Sequence, residues 1–106
     1  MELEELSVAE KAAMLSGGSE WDSRGNEKAG IPSFVMSDGP HGVRRQLGEG
    51  EHLGLGASKP ATCFPTAGTV ANSWDPALAE EMGDALGQDA HDLDVNVLLG
   101  PRMNIK

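Results

Sequence analysis

In the stretch VMSDGPHGVRR, Val35 to Arg45, an aspartate and an arginine stand six positions apart, with Gly39-Pro40 and a histidine between them. An ionised carboxylate only accepts hydrogen bonds and can take two from neighbouring hydroxyls, while a guanidinium offers a planar fork of donors. If the turn brings both side chains to one pocket, Asp38 and Arg44 suit a polyhydroxylated, uncharged ligand. The same residues also describe an Asx-type turn with an ordinary Asp-Arg ion pair, because Asp, Gly and Pro all favour turns. His41, inside the turn, either supports the loop through backbone hydrogen bonds or touches the ligand. Trp21, in a polar stretch upstream, either packs with its N–H partnered or stacks on a sugar ring.

Such side chains need elements to hold them. Ser7 followed by Glu10 has the capping-box spacing, and Val8, Ala12 and Leu15 recur at helical spacing up to Gly17-Gly18, which predicts a short helix over residues 7–16. GGSEWDSRGNEKAGIP reads as a loop, and SFVMSD as a strand ending near Asp38. Residues 45–62, rich in glycine and charge without a period, read as a surface excursion. CFPTAGTVANSW, Cys63 to Trp74, suits a short buried strand or close packing, with Trp74 in the core.

The clearest element follows. Asp75 is an N-cap, Pro76 fits the first helical position, and Leu78, Met82, Leu86, Ala90 and Leu93 share one face, which predicts a helix from Pro76 to Asp92. VNVLLGP then reads as a strand buried on both sides and stopped by Gly100-Pro101. Strand, loop, helix, strand is the order of a parallel α/β unit, and in such folds ligands bind at the loops after strand C-termini. Asp38 falls at one of them.

Composition narrows the partners. The 106 residues are the size of one small domain, and 8 basic against 17 acidic side chains give a net charge of −9, which disfavours nucleic acid and anionic membranes. The single cysteine, Cys63, forms no internal disulfide, so cytoplasm is the default localisation. There is no secretory signal in MELEELSVAEKAAML and no membrane-spanning apolar run, although a signal removed before Met1 would leave no trace. The three histidines, with Asp89, Asp92 and Asp94, lack the spacing of a helical zinc pair, so a solvated charged face is expected there and no metal. Cys63 is expected to pack rather than act as a nucleophile, since no histidine base is placed beside it.

SDGPHGVRRQ, followed by CFPTAGTVANSWDPALAEEMGDALGQDAHDLDVNVLLGPRMNIK, closely resembles the N-terminal part of glycoside hydrolase family 3, the β-glucosidase-type enzymes. The match runs in order from SVAEKAAMLSGGSEW to the end. The resemblance implies an α/β fold, a (β/α)8 TIM-type barrel as first domain with an α/β sandwich after it, and retaining hydrolysis of β-linked sugars without a cofactor. A barrel takes ~250 residues, so residues 1–106 are expected to be an N-terminal fragment of it, built of parallel βα units, and no complete domain. By the same likeness Asp38 holds sugar hydroxyls in the innermost subsite, and Arg44 matches an arginine beside it.

The family's Lys-His pair, its nucleophilic aspartate in a Ser-Asp-Trp setting and its acid/base glutamate have no counterpart here; Ser37-Asp38-Gly39 is not the nucleophile motif. No catalytic residue is therefore expected in this chain, and it should be inactive alone. Arg102 departs from the family, which more often has a small residue after this proline, and Asn104 and Lys106 fix the loop or touch sugar.

Two function classes stand. The chain is either the sugar-holding segment of a β-glycosidase acting on terminal β-linked sugars, or a noncatalytic carbohydrate-binding or interaction module retaining the same fold elements. Its expected partners are a β-linked glycoside or oligosaccharide and either the remainder of the enzyme or further copies of itself, covering exposed apolar faces.

Overall fold

The computed structural model describes residues 3–39, 41–47 and 56–101. A 3-10 turn over Leu3–Glu5 leads into helix α1, Val8–Met14. Its capping box is complete. Glu10 N–H donates to Ser7 Oγ at 3.2 Å, and Ser7 N–H donates to Glu10 Oε2 at 2.7 Å. The Ser7 hydroxyl and backbone N–H, and after them Lys28, hold the Glu10 carboxyl below its ordinary pKa.

The polar stretch after α1 is an irregular hairpin rather than a free loop. Asn26 and Ile31 exchange backbone hydrogen bonds of 2.8 and 2.9 Å, Ser23 N–H donates to Phe34 O at 2.9 Å, and Met36 N–H donates to Trp21 O at 2.7 Å. Its second arm runs into strand β1, Met36–Ser37.

Among the described residues, two more helices separate β1 from its partner: α2, Ala67–Ala71, capped by Thr66, and α3, Pro76–Asp92. The α3 bounds are those predicted, because the Asp75 carboxylate accepts from Ala77 N–H at 3.0 Å and Leu78 N–H at 3.3 Å while Pro76 presets the first turn. Strand β2, Val97–Leu98, then lies parallel to β1, Met36 beside Val97 and Ser37 beside Leu98. Asn96 locks this register, its side-chain oxygen accepting from Val35 N–H at 2.8 Å while its own N–H donates to Val35 O at 2.9 Å. The result is the expected parallel βα unit. Its core is Val43, Leu93 and Val95, against which Val35, Leu86, Ala90 and Leu98 pack.

Several burial expectations need correction. Cys63–Trp74 forms no strand: Thr66 caps α2 instead, Cys63 is exposed, and Trp74 is 90% exposed in a turn where its φ is 54°. β2 is two residues long, and Val97 remains 39% exposed. The physical reason is shared. Burial on both faces of a strand needs a layer on each, and among the described residues the small cluster of Val43, Leu93 and Val95, with Leu86 and Ala90 of α3 against it, is the core that Leu98 reaches. Leu15, at the end of α1, is likewise 92% exposed.

The surface excursion has an ordered base. Leu47 N–H donates to Ala57 O and Lys59 N–H to Arg45 O, both at 2.8 Å. The expectations for Arg102, Asn104 and Lys106 lie outside the described residues. Among those described, no helix is long and apolar enough to cross a membrane.

Candidate functional site

Asp38 is the first residue after β1, at the C-terminal end of the parallel pair. The chain turns beyond it and returns at Arg44, and Ser37 closes the turn at its base. Ser37 is 2% exposed, and its hydroxyl meets the Arg44 carbonyl while lying 2.9 Å from the Asp38 carbonyl. Val43, buried in the core, anchors the returning limb. The His41 carbonyl accepts from Phe64 N–H at 2.8 Å and so ties the turn to the segment before α2.

The Ser37 hydroxyl is expected to contribute through the loop it closes. Ser37→Ala should destabilise the protein by about 1–2 kcal/mol, because it leaves a carbonyl short of its donor in a partly buried place. Thermal unfolding checks this, and an unchanged midpoint would assign the closure to the backbone alone.

Asp38 and Arg44 line one open cleft of about 540 Å³, together with Trp21, Met36 and Gln46. Trp21 arrives from the first arm of the hairpin. Ser19 Oγ accepts from the N–H groups of Trp21 at 3.2 Å and Asp22 at 3.1 Å, which curls the backbone there, and the Trp21 indole N–H donates to Gln46 Oε1 at 2.9 Å.

The cleft wall carries the carboxylates of Glu20, Asp22 and Asp38 and the guanidiniums of Arg44 and Arg45. Charge there nearly balances, in contrast to the −9 of the whole chain, and a wall of mixed acceptors and donors matches an uncharged polyol better than an ion. Asp38 is half-buried, and no hydrogen bond to its carboxylate is made among the described residues. Its acceptor capacity faces the cleft unspent. Among the described residues no three His, Cys, Asp or Glu side chains converge as a metal site.

Of the four residues singled out from the sequence, the fold brings Asp38, Arg44 and Trp21 together, while the exposed His41 is not part of the cleft wall. Gln46 escaped sequence reasoning. No local signal marked it, since Arg44, Arg45 and Gln46 line the cleft in succession and its partner Trp21 lies 25 positions away.

No protein-family model matches the chain. Among curated proteins it is 44% identical over 104 residues to thermostable beta-glucosidase B of Acetivibrio thermocellus and 42% identical over 105 residues to an exo-alpha-(1->6)-L-arabinopyranosidase of Bifidobacterium longum. Each match covers 98% of this chain and 14% of the relative. Among solved structures, a beta-glucosidase of Kluyveromyces marxianus in complex with glucose superposes with a TM-score of 0.86 at 31% identity, over 97% of this chain and 12% of that one. A GH3 beta-glucosidase of Bifidobacterium adolescentis does so with a TM-score of 0.79 at 38% identity, over 98% of this chain and 14% of that one. The chain thus spans about one seventh of the length of the curated relatives it matches.

Proposed function

We propose that this chain, which is homologous to the N-terminal part of glycoside hydrolase family 3 enzymes, is the sugar-holding segment of a retaining β-glycosidase whose nucleophile and acid/base are supplied by other sequence. The observation that carries the proposal is the cleft at the C-terminal end of β1, where Asp38 presents an uncommitted carboxylate beside Arg44 and Trp21. Asp38 accepts two sugar hydroxyls, the guanidinium of Arg44 keeps that side of the cleft from becoming anionic, and the reacting carbon sits where the remaining polypeptide brings its two carboxyl groups.

In this reading β1 and β2 are neighbouring strands of a (β/α)8 barrel, and residues 1–106 supply part of the barrel domain. The exposed apolar side chains support it. Val8, Leu15, Trp74, Val97 and Leu99 all lie exposed, apolar surface of the kind that a covering partner or layer buries. The open faces of α1 and β2 are where further barrel elements would pack.

Hydrolysis by the full-length protein of aryl β-glucosides and aryl α-L-arabinopyranosides, with the anomer of the first-formed product read by NMR, tests the activity. Retention is expected, and the ratio of the two rates ranks the sugars named by the relatives. Inversion, or no hydrolysis of either, would overturn the proposal. The isolated 106-residue chain is expected to hydrolyse neither and to associate in sedimentation; a compact, well-behaved monomer would contradict the idea that its apolar faces await cover.

A further inference from the structure

Gln46 is costly where it stands. Its amide has two ends of opposite character, and the Trp21 indole, a donor only, fixes which is which by donating to Oε1 at 2.9 Å. Among the described residues, Nε2 is left buried without a hydrogen-bond partner. Buried donors are nearly always satisfied, and an apolar side chain of similar length would avoid the penalty altogether. What the glutamine gains is a fixed indole.

Trp21 is otherwise held through its backbone, its carbonyl accepting from Met36 N–H at 2.7 Å and its N–H donating to Ser19 Oγ at 3.2 Å. With the indole N–H spent on Gln46, the ring offers the cleft apolar surface rather than a donor. It is the one aromatic side chain among the residues lining that cleft.

We propose that Trp21 is an aromatic platform for the C–H face of the bound pyranoside and that Gln46 is the positioning residue that sets its ring. This rests on the sugar-binding reading of the cleft and deepens it. A pyranose ring has hydroxyls at its rim and C–H groups on its faces, so a site that grips hydroxyls through Asp38 gains orientation from a flat apolar wall. A ring already fixed before binding adds little ordering cost when the sugar arrives.

The test uses steady-state kinetics of the full-length enzyme on an aryl β-glucoside, with Asp38→Ala as reference. Trp21→Leu keeps apolar bulk and loses the flat face, and should raise KM about tenfold with a smaller change in kcat; Trp21→Phe keeps a flat face and should lose less than half of that on a logarithmic scale. Gln46→Leu removes the acceptor and should raise KM several-fold, while Gln46→Glu restores an acceptor for the indole and should recover most of the loss. In a Trp21→Phe background, which has no N–H to place, Gln46→Leu should then have little further effect.

Equal KM for Trp21→Leu and the parent enzyme, with Asp38→Ala impaired, would overturn the platform and leave the sugar site standing. Equal effects of the Phe and Leu variants would reduce Trp21 to packing and also overturn it. If Asp38→Ala is silent as well, the failure belongs to the sugar-binding reading itself. Melting temperatures within a few degrees of the parent show that folding does not produce the KM change; a variant that fails this check is replaced by Trp21→Met, for which the Leu expectation holds.

Discussion

Under the proposed function, Asp38→Ala is expected to lower kcat/KM for an aryl β-glucoside by about 100-fold or more in the full-length protein, since each of two charge-assisted contacts that tighten toward the transition state is worth ~1.5–3 kcal/mol. The size of the effect follows from what Asp38 does not do in the fold. No described residue bonds to its carboxylate, so the loop geometry depends on Ser37, Val43 and the glycines instead. Removal should therefore cost turnover without costing stability. Asp38→Asn keeps the shape and one carbonyl oxygen while losing the charge, and it should fall between the parent and the alanine variant. A kcat/KM within threefold of the parent for Asp38→Ala would remove Asp38 from the site, whatever the rest of the enzyme does.

The elements that the sequence made plain are those whose signals are local. Helix α3 was legible to the residue because Asp75 and Pro76 settle its start within one turn; the start of α1 was legible because Ser7 and Glu10 satisfy each other across three residues, while its end, read as residue 16, falls at Met14. Asp38 was legible as the end of a strand for a similar reason, an apolar run meeting Gly-Pro. What could not be read was contact across distance. The hydrogen bond from Trp21 to Gln46 spans 25 positions, and the lock of Asn96 on Val35 spans 61; neither leaves a mark in spacing.

Burial failed for a different reason. Trp74, Cys63 and Val97 were assigned to the interior from residue type, but a side chain is buried only if a neighbouring layer covers it. Among the described residues nothing covers these three. The apolar code in β2 and in the segment before α3 was not misread as apolar; the layer it anticipates is absent from the described fold.

Gly42→Ala is expected to do what Asp38→Ala does not, lowering stability and sugar affinity together. Gly42 has a φ of 150°, a conformation that L side chains rarely adopt, and a Cβ built on it would come within 2.4 Å of the Thr62 carbonyl oxygen. Gly39 is as confined, its Cβ position falling 2.1 Å from the carbonyl oxygen of Gly42. Both obstacles are backbone atoms and cannot swing aside, so accommodation must open the turn between Asp38 and Arg44. A strained non-glycine residue costs ~1–3 kcal/mol before any clash is counted, and opening the turn also releases the Ser37 closure and the link from His41 to Phe64. The two variants should therefore separate cleanly when melting temperature and KM are measured on the same preparations: Asp38→Ala with a parental melting temperature and impaired turnover, Gly42→Ala impaired in both. Were Gly42→Ala to melt with the parent and bind sugar as well, the turn would be pliant, and Asp38 would owe its position in the cleft to something other than the close backbone approach at Gly39 and Gly42.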